Sequence, residues 1–94
     1  MNDFASSIIL TKRTLQNDVQ NHFRLIRTLD GFRNTDIFSV FLTTESPVVF
    51  EEEFVFDISR DPETANTFFR LISEGNVTAL TLREIAEDFI ASHS

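Results

Sequence analysis

Two amphipathic helix patterns close the chain, and they decide what the rest of it must supply. Asp61-Pro62 reads as a helix start. The aspartate can accept an unpaired amide, and the missing N–H of proline costs nothing in the first turn. Ala65, Phe68, Phe69 and Ile72 follow at helical spacing with Leu71 beside them. Gly75 is expected in the left-handed position that ends this helix, with Asn76 after it. The second pattern starts between Thr78 and Thr81. Thr81-Leu82-Arg83-Glu84 matches a capping box, and Thr78 is a competing cap one turn earlier. Leu82, Ile85, Ala86, Phe89 and Ile90 form its stripe. Both stripes need an apolar surface to lie on.

The upstream residues supply it as strands. Residues 1–18 are expected to form an extended arm or a first strand around 6–14, because Ile8, Ile9 and Leu10 are β-leaning. From 19 to 29, Val19, Asn21, Phe23, Leu25, Arg27 and Leu29 share one face, with Gln20, His22, Arg24, Ile26 and Thr28 on the other. Asp30-Gly31 is a turn pair, extended by Asn34. Ile37 to Thr44 is apolar on both faces. Ser46-Pro47 breaks the chain again. Val48 to Ile58 follows, and its parity Val48, Phe50, Glu52, Phe54, Phe56, Ile58 is expected to face the core. The other parity, Val49, Glu51, Glu53, Val55 and Asp57, reads as a half-exposed acidic face. Short connections argue an antiparallel meander.

The fold class is therefore α+β: an antiparallel sheet of three or four strands followed by two C-terminal helices packed on one face. Its 94 residues read as one domain, with 92–94 as a frayed tail. Two helices leave the second sheet face open. Ile8-Ile9-Leu10 is the cheapest expected cover; a second copy of the chain, or a partner, is the alternative.

Composition narrows the function classes. The chain has no cysteine, so disulfides and thiolate chemistry are excluded, and a reducing cytoplasm suits it. No segment reads as a signal peptide or membrane span. All 11 aromatic residues are Phe, which suits a dry interior. The net charge is −7, and it is uneven: residues 1–44 sum to +1 and residues 45–94 to −8. Direct nucleic-acid binding is disfavoured, whereas a basic protein partner would be drawn in.

No catalytic, metal or cofactor constellation stands out. Glu51, Glu53 and Asp57 on one strand face could hold a hard cation, but they lack the wrapping Asp/Asn/Gly loop, so a solvated acidic face is the simpler reading. His22 and His93 have no sequence-encoded catalytic partner. Asn76-Val77-Thr78 matches a glycosylation sequon, which has no meaning in a reducing cytoplasm.

The run Asp57-Ile58-Ser59-Arg60-Asp61, then Gly75-Asn76-Val77-Thr78, then Leu82-Arg83-Glu84-Ile85-Ala86-Glu87-Asp88-Phe89-Ile90 resembles a small domain family of unknown function from clostridia and related Firmicutes. The resemblance covers just under half of the chain. Thr78-Ala79 stands where the family has Ser-Pro, and Thr81 where it has His. It implies a small intracellular protein of bacterial, phage or plasmid origin, and no activity.

The expected function is non-enzymatic protein binding: a small acidic inhibitor, similar to anti-CRISPR proteins in size and charge, that imitates phosphate on a basic nucleic-acid-processing enzyme. Glu51, Glu53, Val55, Asp57, Glu84, Glu87 and Asp88 are the expected partner-binding residues. The alternative is a structural homodimer associating through the exposed sheet face.

Overall fold

The computed structural model describes residues 4–93. Four strands come first: β1 (Phe4–Gln16), β2 (Val19–Asp30), β3 (Thr35–Glu45) and β4 (Phe50–Ser59). Two helices follow, α1 (Pro62–Glu74) and α2 (Ala79–Ser92). The strands form one open antiparallel sheet in chain order, β1-β2-β3-β4, so the expected meander has all four strands. The residues around 6–14 join the sheet edge beside β2. They do not cover its second face, because a strand that pairs in plane extends a sheet rather than capping it.

Each hairpin has a local cause. Asn17 (φ 53°) and Asp18 (φ 63°) both take left-handed backbone, as a two-residue turn with the right-handed twist of its strands requires. At the β2–β3 turn Asp30 accepts hydrogen bonds from the amides of Phe32 and Arg33, at 3.1 and 3.3 Å. Such a side chain imitates the backbone and closes the turn locally. Between β3 and β4, Ser46 Oγ accepts from the amides of Val48 and Val49.

The helices cover the face that carries Phe23 and Leu25 of β2 and Phe38, Val40 and Leu42 of β3. Ala65, Phe68, Phe69 and Ile72 of α1, with Leu82, Ala86 and Phe89 of α2, complete the core. On β4 the expected parity is reversed. Val55 is the buried residue, while Phe50, Phe54 and Phe56 are 60, 44 and 54% exposed. Register is the cause: Val55 pairs Val40, Glu53 pairs Leu42 and Glu51 pairs Thr44, so these three join the helix-facing side of β3. A bulge follows. Asp57 has φ 60°, and the register shifts opposite Ser39. The shift lets Ile58 return to the core two residues after an outward Phe56. The fully buried Ser39 Oγ accepts the Asp57 amide, at 3.0 Å, that the bulge has removed from the ladder.

The helix ends differ from expectation in an instructive way. Asp61 caps α1 as expected, accepting from the Thr64 amide at 2.9 Å, and this bond holds its carboxyl below the usual range. At the other end Gly75 stays right-handed (φ −80°), and Asn76 takes the left-handed position (φ 51°). The Val77 amide then reaches back to Ile72 O at 3.0 Å. For α2 the earlier cap wins: Thr78 is the N-cap, but its side chain makes no capping bond. The Ala79 amide donates instead to Thr44 Oγ1 of β3, at 2.8 Å. Ser92 closes α2, and His93 stacks on Phe89 at 4.0 Å, so neither is a loose tail; Ser94 lies outside the described residues.

Asn76 explains why asparagine sits at that bend. Its Oδ1 accepts from Thr14 Oγ1 (2.6 Å) and Asn21 Nδ2 (2.9 Å), and its Nδ2 donates to Gln16 Oε1 (2.8 Å). Asn21, fully buried, accepts in turn from Thr44 (2.6 Å). One chain of hydrogen bonds therefore ties β1, β2 and β3 to the interhelical bend and to the start of α2. Asn76→Gly keeps a residue suited to the left-handed backbone and removes only this network. It should lower the stability measured by urea denaturation by roughly 1–3 kcal/mol, the cost of leaving the amide of the buried Asn21 without its acceptor. A variant as stable as the parent would show the network to be idle.

Candidate functional site

The expected partner-binding residues do not form one surface. Val55 is 6% exposed beneath the helical layer, which makes it a core residue. Glu53 is bound by its own chain: Arg83 Nε and Nη2 reach its two carboxylate oxygens at 3.0 and 3.4 Å, and Nη2 also donates to Phe54 O. This pairing raises the Arg83 pKa further above its already high value. Asp57 sits at the bulge, 3.5 Å from Arg60, and the same arginine lies 3.8 Å from Asp30. Glu51 is half-buried and lines a shallow hollow with Val49, Thr78 and Leu80 at the start of α2. Only Glu84, Glu87 and Asp88 lie exposed together, on α2. Among the described residues, no group of three acids or histidines is placed to hold a metal ion, and no helix is long and apolar enough to cross a membrane.

The opposite face of the sheet is the more organised surface. The unbroken β2–β3 register and the β1 and β4 pairings align side chains in rows across all four strands. One row is Thr11, Arg24, Phe41 and Phe54. The next is Arg13, His22, Thr43 and Glu52. A third is Leu15, Gln20, Glu45 and Phe50. The aromatic part is continuous. The Arg24 guanidinium lies 4.9 Å from the Phe41 ring centre, Phe41 meets Phe54 edge-on at 6.4 Å, and Phe54 meets Phe56 at 6.3 Å. Beside it opens a pocket of about 290 Å³ lined by Arg13, Gln20, His22, Arg24, Thr43, Glu45 and Phe50.

The electrostatics of this pocket follow from one contact. Arg24 Nη2 and His22 Nδ1 are 2.6 Å apart. A guanidinium can only donate, so Nδ1 must accept, and the neutral imidazole carries its proton on Nε2. Burial first, then the charges of Arg24 and Arg13, push the His22 pKa below its usual 6.5. Burial and Arg13 also lower that of Arg24, while Glu52 opposes them.

None of Arg13, His22, Arg24, Phe50, Phe54 and Phe56 was singled out by sequence reasoning as functional. The alternation on β2 does separate His22 and Arg24 from the core face, but only the β1–β2 register brings Arg13 to them. None of the family models, curated proteins or solved structures compared with the chain matches it. The clostridial resemblance therefore rests on its short motifs alone.

The lowered His22 pKa has a sign that can be checked. Above pH 6.5 the imidazole is neutral in both the folded and the unfolded chain. As pH falls below 6.5, the unfolded chain takes the proton first, so stability drops until the folded pKa is passed. In His22→Gln this component is gone. Urea denaturation of parent and variant across this range should give a stability difference that changes with pH in that direction. A constant difference would contradict the neutral, arginine-bound His22.

Proposed function

We propose that this chain is a non-enzymatic protein-binding module that docks its partner on the open face of the sheet. The observation that carries the reading is the aromatic row of half-buried Phe41 with exposed Phe54 and Phe56, and exposed Phe50 beside it, on the face of the sheet opposite the helices. Scattered exposed apolar residues are ordinary, but a contiguous patch next to fixed cations is the usual anatomy of a docking surface. The partner is a segment that combines apolar side chains with negative charge. Arg13 and Arg24 face outward beside the row, and neither is within ion-pairing distance of a carboxylate of its own chain among the described residues. The net charge of −7 works against a second copy as the occupant. The absence of cysteine fits a cytoplasmic setting.

One observation favours a second reading. Glu84, Glu87 and Asp88 are exposed on α2 and have no ion-pair partner among the described residues. Through them the chain would act as an inhibitor, standing in for phosphate on a basic nucleic-acid-processing enzyme. That binding would weaken steeply with salt and fail when these three are changed to Lys.

Selection of displayed random peptides separates the readings. Docking on the open face predicts peptides that pair apolar residues with Asp or Glu, with NMR shifts on binding confined to β1–β4 residues of that face. The variant Phe50→Thr/Phe54→Thr/Phe56→Thr should stay folded, because these rings lie outside the core, and should bind at least about tenfold more weakly. Basic peptides that shift α2 would favour the inhibitor. Light scattering that shows a dimer at micromolar concentration would replace the heterologous partner with a second copy.

A further inference from the structure

The basic end of the open face is assembled against its own electrostatics. The chain has fifteen acids and eight bases, so unpaired cations should be rare. Yet the ion pairs among the described residues all use Arg60, Arg70 and Arg83. Arg13 and Arg24 instead line one pocket with His22, and both disfavour a third positive charge there. Like charges held together cost free energy unless something negative joins them.

Arg24 sharpens the point. Its Nη2 is spent on His22 and its face on Phe41, which fixes the side chain. Its Nη1 is withdrawn from solvent and has no acceptor, the one such side-chain atom among the described residues. A charged donor in that condition has given up its hydration with nothing in return.

We infer that the Arg13–His22–Arg24 pocket is an oxyanion-binding site that takes a phosphate or carboxylate group. Two guanidiniums and an imidazole N–H are the donors such a group needs, and guanidinium forks match both anions. At about 290 Å³ the pocket suits one group rather than a whole cofactor. The carboxylates that face His22 are Glu45 of β3, which lines the pocket, and Glu52 of β4, in its own row. Neither lies within ion-pairing distance of the three donors, and both weaken an incoming anion. The inference rests on the docking reading only for the source of the anion, since a partner's acidic group would enter here.

The test is an NMR titration of the His22 ring with sodium phosphate and, separately, sodium acetate, at ionic strength matched with sodium chloride. One or both oxyanions should give a saturable shift that chloride does not, and saturation should raise the His22 pKa, because a nearby negative charge favours the imidazolium. Arg13→Gln, at an exposed position, should weaken binding about tenfold, as loss of a charged hydrogen bond does. Glu45→Gln should tighten it. A stronger response to phosphate identifies a phosphoryl group, and a stronger response to acetate a carboxylate side chain. Shifts no different from chloride, or saturable binding untouched by Arg13→Gln, overturn the site. Either result leaves docking on the aromatic row to be decided by the peptide selection.

Discussion

Four strands in chain order make a sheet with two faces, and two helices can cover only one of them. Every later feature of this chain depends on that inequality. The covered side takes Phe23, Leu25, Phe38, Val40 and Leu42 from the middle strands, and α1 and α2 bring Phe68, Phe69 and Phe89 of their own. The register of β4 against β3 leaves Phe50, Phe54 and Phe56 on the other side, with Phe41 of β3. The Asn76 network then fixes which end of the sheet the helices are tied to, by joining three strands to the interhelical bend. A buried polar chain of this kind holds one arrangement because any other would leave its members unpaired.

The open face collects what the core rejects, and it is sorted. Phe50, Phe54 and Phe56 lie along the β4 side, while Arg13, His22 and Arg24 lie along the β1–β2 side. Of the acids of the second half of the chain, Glu45 and Glu52 stay on this face, whereas Glu53 is held by Arg83, Asp57 by Arg60, and Glu84, Glu87 and Asp88 lie on the outside of α2. Net charge therefore misdescribes the surface. A chain at −7 presents two of its cations, Arg13 and Arg24, together on the sheet face opposite the helices.

Much of the fold was legible because its signals are local. The cap at Asp61, the helical stripes, the Asp30-Gly31 turn and the alternation on β2 are all settled within a few neighbouring residues, whereas the start of α2 stayed open between Thr78 and Thr81 because its first amide is satisfied by Thr44 of β3. The antiparallel order followed from short connections. The β4 parity was not legible. Both of its faces carry apolar residues, and the richer one pointed outward because register with β3, not hydrophobicity, chose the side. The bulge at Asp57 then returned Ile58 to the core, so simple alternation failed midway. The left-handed Asn76 was missed for Gly75 because its partners, Thr14, Asn21 and Gln16, are about sixty residues away. The candidate site was missed for the same reason, since its rows exist only after four strands are in register.

The β4 register is the claim on which the open face stands, and side-chain NOE spectroscopy measures it directly. The Val55 methyls should show NOEs to Leu82 or Ala86 of α2, and the Phe54 ring to Phe41, with none from Phe54 or Phe56 to either helix. This pattern holds whether or not a partner occupies the face. NOEs from Phe54 and Phe56 into the helical layer, with Val55 facing away, would reverse the two faces and remove both the aromatic row and the pocket beside it.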